Sequence, residues 1–205
     1  MKYPLIYCDP PWKYNNKVSN GAAQNHYEGM TLAEMCALPV NNISADDSVL
    51  AMWYTGNFVD EAMFLAKAWG FKIKTMKGFT WAKLNEKYWS RVGKAINQGN
   101  LTEADFLALL NSETRMNGGN YTRANSEDCL IAIKGKGLER KQRNIKQLVI
   151  APLDEHSAKP PEVRHRLERL YGDIPRLEMF ARTSPQGWDV FGNEVSNSIQ
   201  LHHAA

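Results

Sequence analysis

The sequence predicts an α/β protein, a doubly wound sheet of about seven short strands with a helical insertion. Three observations lead there. Short apolar runs bounded by Pro, Gly or polar residues recur along the chain, as strands buried on both faces require. Amphipathic runs of helical period separate most of them, and one stretch reads strand, helix, strand, the βαβ unit of such sheets. Residues 84–125 break this rhythm and read as a helical insertion into one domain spanning 1–205.

Leu5 to Cys8 form the first strand, which Pro10 and Pro11 forbid from continuing because each lacks an N–H and fixes φ. Lys13 to Gly29 is polar, with amides around Tyr14 and Tyr27, and reads as a base-binding loop or else as plain disorder. Thr31 and Glu34 make a capping box for a short helix that Pro39 ends. Ser48 to Tyr54 is the second strand, Phe58 to Trp69 a helix stopped by Gly70, and Lys72 to Lys83 the third strand. The insertion carries Tyr88, Trp89 and Arg91, then a second helix capped by Thr102 with Leu101 stapled to Phe106, and ends near Tyr121 and Arg123. It reads as a lid or substrate-recognition element, with a structural flap as the alternative.

Cys129 to Lys134 is the next strand, followed by a basic loop with Lys136, Arg140, Lys141 and Arg143. On charge alone that loop is equally a solvated surface or a phosphate grip; its place beside the insertion favours phosphates. Val149 to Ala151 is a short strand. Pro160 to Tyr171 is a helix with Val163, Leu167, Leu170 and Tyr171 inward and Arg164, Arg166 and Arg169 outward. Arg176 to Arg182 and Gly187 to Glu194 supply the last strands.

With 205 residues, 43% hydrophobic and 23% charged, the chain has room for one substantial core. A net charge of +3 does not make it a basic nucleic-acid coat, so any such binding must use local patches. Cys8, Cys36 and Cys129 are scattered, with no CxxC pair, and the five histidines show no ligand spacing, so neither a disulfide framework nor a metal site is expected. The early first strand leaves no space for a signal peptide, and no apolar run approaches the ~18 residues of a membrane span, so a cytoplasmic location is expected.

Asp9-Pro10-Pro11-Trp12 carries the chemistry. Chance would place D-P-P-W in on the order of one chain of this length in a few thousand. Ligands of open α/β sheets gather beyond the carboxyl ends of strands, where Asp9 stands. An exocyclic aromatic amine is a weak nucleophile because its lone pair is delocalised into the ring. If the Asp9 carboxylate and the Pro10 carbonyl each accept an amino hydrogen, the nitrogen turns towards tetrahedral and the lone pair is localised. Pro10 and Pro11 hold these acceptors rigid, and Trp12 or Tyr14 would stack on the base.

The motif resembles the D-P-P-[WYF] signature of amino-methyltransferases acting on nucleic-acid bases, in its Trp form that of the MT-A70-like N6-adenine methyltransferases. His156 to Pro160, Glu178 to Arg182, Gly187-Trp188 and Gly192 to Glu194 match the family pattern in order and spacing. The resemblance implies a Rossmann-like methyltransferase sheet with the catalytic strand first, S-adenosylmethionine as donor and adenine N6 as acceptor. It also implies a donor site of Cys8, Asp9, Lys159 (on the donor carboxylate), Glu178, Phe180, Arg182, Asn193 and Glu194 (on the ribose). No G-x-G-x-x-G is present, so the donor site rests on this resemblance. Ala181 and Phe191 depart from the family's usual Gly and Trp.

The compact form is similar to phage or bacterial enzymes, so DNA is expected before RNA as the substrate. Tyr14, Tyr27, Tyr121, Arg123, Lys136, Arg140, Lys141 and Arg143 are its candidate contacts. The alternatives are an RNA N6-adenine enzyme, a cytosine-N4 enzyme, or a silent nucleic-acid-binding subunit on the same fold.

Overall fold

The computed structural model describes residues 1–13, 29–116, 121–154 and 158–201. Its elements are β1 (Tyr3–Cys8), α1 (Leu32–Ala37), α2 (Val40–Ile43), β2 (Ser44–Tyr54), α3 (Val59–Ala68), β3 (Lys72–Leu84), α4 (Tyr88–Asn97), α5 (Glu103–Ser112), β4 (Ser126–Lys134), β5 (Leu148–Pro152), α6 (Pro161–Tyr171), β6 (Arg176–Met179) and β7 (Asp189–Phe191). The strands make one sheet in the order β5-β3-β4-β2-β1-β6-β7, parallel throughout except for β4, which is antiparallel to both its neighbours.

The two-residue period of a strand explains how one apolar run serves two cores. From β1, Ile6 and Cys8 face one side with Met35, Leu65 and Trp69 of the α1 to α3 region, where the Trp69 indole donates to the Met35 carbonyl at 2.9 Å. Leu5 and Tyr7 face the other side with Val163, Leu167 and Tyr171 of α6. There the Trp53 indole donates to the Tyr7 hydroxyl at 2.6 Å, which lets two large polar-tipped rings lie fully buried.

β4 corrects two expectations. The strand–helix–strand unit β2–α3–β3 exists, but β4 lies between its two strands and pairs with both. The insertion leaves from the carboxyl end of β3, so the chain returns at that edge and β4 must run back down the sheet. Its two ends therefore lie at opposite edges, and the basic loop after Lys134 is remote from the insertion rather than beside it: Lys134 pairs with Ser48, near the amino-terminal end of the parallel strands. Helix α2 is a further difference, a single turn after Pro39 where the sequence signals only a stop. Arg164 and Arg166 do not face outward as expected: each side chain is 15% exposed, Arg164 reaching Glu178 on β6 and Arg166 the Lys146 and Leu148 carbonyls. The insertion itself is thinly packed, with Val92 the one buried residue of α4 and none in α5.

Candidate active site at the carboxyl edge of the sheet

β1 ends at Cys8, just ahead of the two prolines, so Asp9 stands on the edge formed by the carboxyl ends of β1, β2, β6 and β7. The Trp12 amide donates to the Pro10 carbonyl at 2.8 Å, a three-residue turn that aims this carbonyl while leaving its second lone pair open. Trp12 is fixed as well. Its indole donates to the Trp53 carbonyl at 3.1 Å, and one ring face stacks on Phe58 with centroids 5.4 Å apart. That face is closed to a base, so Trp12 serves first to hold the motif.

Lys159 donates to Asp9 Oδ2 at 2.7 Å and lies 3.1 Å from Glu127 Oε2. Glu127, near the start of β4, is paired in turn with Lys83 near the end of β3. This chain of alternating charges, Asp9–Lys159–Glu127–Lys83, ties β1 to β4 and β3 across the edge. Burial alone would lower the Lys159 pKa, but Asp9 and Glu127 override it and hold the ammonium above its ordinary value. Burial would likewise raise the Glu127 carboxyl, and Lys159 with Lys83 brings it below the usual carboxylate range. Both groups are therefore charged at neutral pH. Lys159 also lies 5.8 Å from the centre of the Trp53 ring.

The donor candidates distribute along the same edge. Glu178 pairs with Cα partner Tyr7, on the α6 side, and its carboxylate takes both oxygens to Arg164 at 3.2 Å. Burial raises its pKa, Arg164 opposes this, and the nearby Asp9 charge adds to it. Phe180 follows β6 with φ 58°, the one described non-glycine residue in the left-handed region, a strained conformation of the kind concentrated at ligand sites. Arg182 and Glu194 face each other at 3.7 Å, and Asn193 is exposed just past β7. Cys8 is fully buried on the α1 to α3 side, and burial pushes its thiol up, so only its backbone is offered to a ligand.

Of the proposed substrate contacts, Tyr14 and Tyr27 lie outside the described residues. Tyr121 and Arg123 are exposed on the segment entering β4, at the edge that carries Asp9. Lys136, Arg140, Lys141 and Arg143 lie at the opposite edge, where the Lys141 amide donates to the carbonyl of Leu170 near the end of α6. Glu127 and Lys83 are the site residues the sequence reading missed. A lone Glu before an apolar run and a Lys at a strand end carry no pattern until the strands are paired. Among the described residues no group of three His, Cys, Asp or Glu side chains is placed to hold a metal, and no helix is long and apolar enough to cross a membrane.

A doubly wound sheet whose first strand delivers D-P-P-W to its carboxyl edge defines the class, an α/β methyltransferase. The chain belongs to the MT-A70 family, whose model matches residues 3–194. Among curated proteins it is similar to the Type II methyltransferase M.MunI of a Mycoplasma species, 29% identical, over 98% of this chain and 81% of that protein. It is also 26% identical to the N(6)-adenosine-methyltransferase MT-A70-like protein of Arabidopsis thaliana, over 97% of this chain and 24% of that protein. The human N(6)-adenosine-methyltransferase catalytic subunit METTL3 is 22% identical, with 95% of this chain matching 28% of it. The chain thus spans about a quarter of the length of these two eukaryotic relatives.

Proposed function

We propose that the protein methylates adenine N6 in nucleic acid, with DNA as the substrate and S-adenosylmethionine as the donor. The observation that carries this reading is the Asp9 carboxylate at the end of β1, beside the turned Pro10 carbonyl and held at 2.7 Å by a buried ammonium. The likeness over four fifths of a type II methyltransferase favours DNA.

The edge fits the donor. Lys159, lying between Asp9 and Glu127, keeps a third ammonium hydrogen for a carboxylate, Glu178 beside Arg164 offers an acceptor for an ammonium, and Asn193 and Glu194 stand past β7 where ribose hydroxyls are commonly held. S-adenosylmethionine supplies an electrophilic methyl on a sulfonium.

The protein's own part is alignment. Asp9 and Pro10 accept the two amino hydrogens and turn the nitrogen lone pair towards the methyl carbon. With the donor bound, the nitrogen would take the methyl as the thioether leaves, and its proton would then pass to Asp9 or to water. An adenine in a duplex must first be flipped out, at a cost of a few kcal/mol, and the insertion with Tyr121 and Arg123 stands on the edge that receives it.

Asp9→Ala tests this. Single-turnover methyl transfer should fall by at least about a hundredfold, the scale of losing a preorganised acceptor, while donor affinity measured by calorimetry is largely kept. Near-wild-type transfer by Asp9→Ala would refute the mechanism.

A further inference from the structure

We infer that a second site, at the sheet edge opposite Asp9, docks the phosphate backbone of the nucleic-acid substrate. It rests on the functional reading above and adds an anchor that reads no bases. A cleft of about 700 Å³ opens between β3 and the loop after β4, with Lys74, Lys77, Lys136, Arg140 and Arg143 in its wall. No Asp or Glu lines it. Lys77 has Asp128 at 3.8 Å, whereas Lys74, Lys136, Arg140 and Arg143 have no ion pair among the described residues. Five cations in one cleft exceed the whole chain's net charge of +3, so the remaining surface is net acidic and an approaching polyanion is drawn to this face.

Two further features make the cleft a built site. Its floor is apolar, from Phe79, Ile131, Ile133, Leu138 and Ile145, and a low-dielectric wall under charges of one sign focuses the field. The loop that carries three of the cations is pinned along its length, although it has no regular structure. The Lys136 amide donates to Asp47 at 2.6 Å, the Lys141 amide to the Leu170 carbonyl at 2.7 Å, and Arg166 reaches the Lys146 and Leu148 carbonyls, each at 2.7 Å. Gly135 permits the first turn, with φ 58° and no space for a Cβ against Asp46 and Asp47. With the backbone held before binding, only the side chains remain to be ordered on meeting phosphates.

The position sets the scale. Val49 on the cleft wall lies on β2 three residues before Met52, which pairs with Cys8, and the cleft continues across β4 to β3. At about 3.3 Å per residue and 4.8 Å per strand this puts the near wall on the order of 15 Å from Asp9 and the β3 cations on the order of 20 Å. That is about five nucleotides of backbone, so one substrate molecule reaches both sites.

The test is lysine acylation of the wild-type protein with and without a duplex of about 30 base pairs, a length that spans both sites, read by peptide mass spectrometry. DNA should protect Lys74, Lys77 and Lys136 and leave Lys67, on α3 at the other face, as reactive as before. The triple variant K136Q/R140Q/R143Q should then bind the duplex at least about tenfold more weakly at low salt. Its plot of log affinity against log salt should be shallower by about three, one unit for each phosphate that is no longer neutralised.

If the wild-type protein methylates DNA but these lysines stay reactive and the salt slope is unchanged, the inference is wrong and the function stands. If polyglutamate protects them and DNA does not, the cleft belongs to an acidic protein partner and the inference is again wrong. If the wild-type protein neither binds nor methylates DNA, the functional reading itself falls.

Discussion

As an acceptor Asp9 needs a free lone pair, and its neighbours leave it one. Lys159 occupies Oδ2 alone, so the second carboxylate oxygen keeps its acceptor capacity for an amino hydrogen. The ammonium is in turn shared with Glu127, which Lys83 holds from the far side. Breaking such a buried network from one end leaves charge without compensation. Glu127→Gln leaves Lys83 without its carboxylate and Lys159 with Asp9 alone, and should cost about 3 kcal/mol of stability, measured by denaturant unfolding at pH 7. The pH dependence has a definite sign. The folded Glu127 carboxyl lies below its unfolded value, so its contribution is complete above about pH 4.3 and is lost as pH falls through the folded pKa. Wild type should therefore lose more stability than Glu127→Gln between about pH 5 and 3; parallel curves would show that Glu127 is not held as described. Asp9 was legible in the sequence because it opens a rare tetrapeptide. Glu127 was not, because its role exists only once β4 is paired beside the segment that carries Lys159.

At the level of elements, the sequence marks each strand by its apolar run and its stops, yet leaves pairing open. Nothing in Cys129 to Lys134 distinguishes a parallel from an antiparallel strand, and the direction of β4 is what separates the basic loop from the insertion. The Arg164 pairing was hidden for a similar reason, since an Arg on a helix reads as solvent-facing until a buried carboxylate lies beneath it.

The end of the sheet proposed to hold the donor depends on a close approach. A Cβ at Gly192 would overlap the Ala181 carbonyl oxygen and lie 2.7 Å from the Ala181 amide, which donates to the Phe191 carbonyl at 3.0 Å. Gly192→Ala must therefore push β7 away from the segment after β6. Donor affinity should fall by at least about tenfold, with a stability loss of about 2 kcal/mol, read by calorimetry and thermal melting. An unchanged donor affinity would place the donor elsewhere.

At the level of the molecule, the sheet separates two tasks. One edge carries Asp9, the ordered charge chain and the insertion; the other carries the cationic cleft. The modest net charge hid this division, because a sum over the chain says nothing of where the charges gather. The fold class and the chemistry were both legible in the sequence, through periodicity and through one tetrapeptide. Which nucleic acid is the substrate is decided by surfaces that assemble only in three dimensions. The direct measurement is to incubate the protein with methyl-labelled S-adenosylmethionine and separate pools of DNA and RNA, then digest each pool and identify the labelled nucleoside. The account predicts labelled N6-methyladenine from the DNA pool. Label in RNA alone or on cytosine would contradict the assigned substrate, and no label in either pool with donor binding intact would make the chain a silent subunit on a methyltransferase fold.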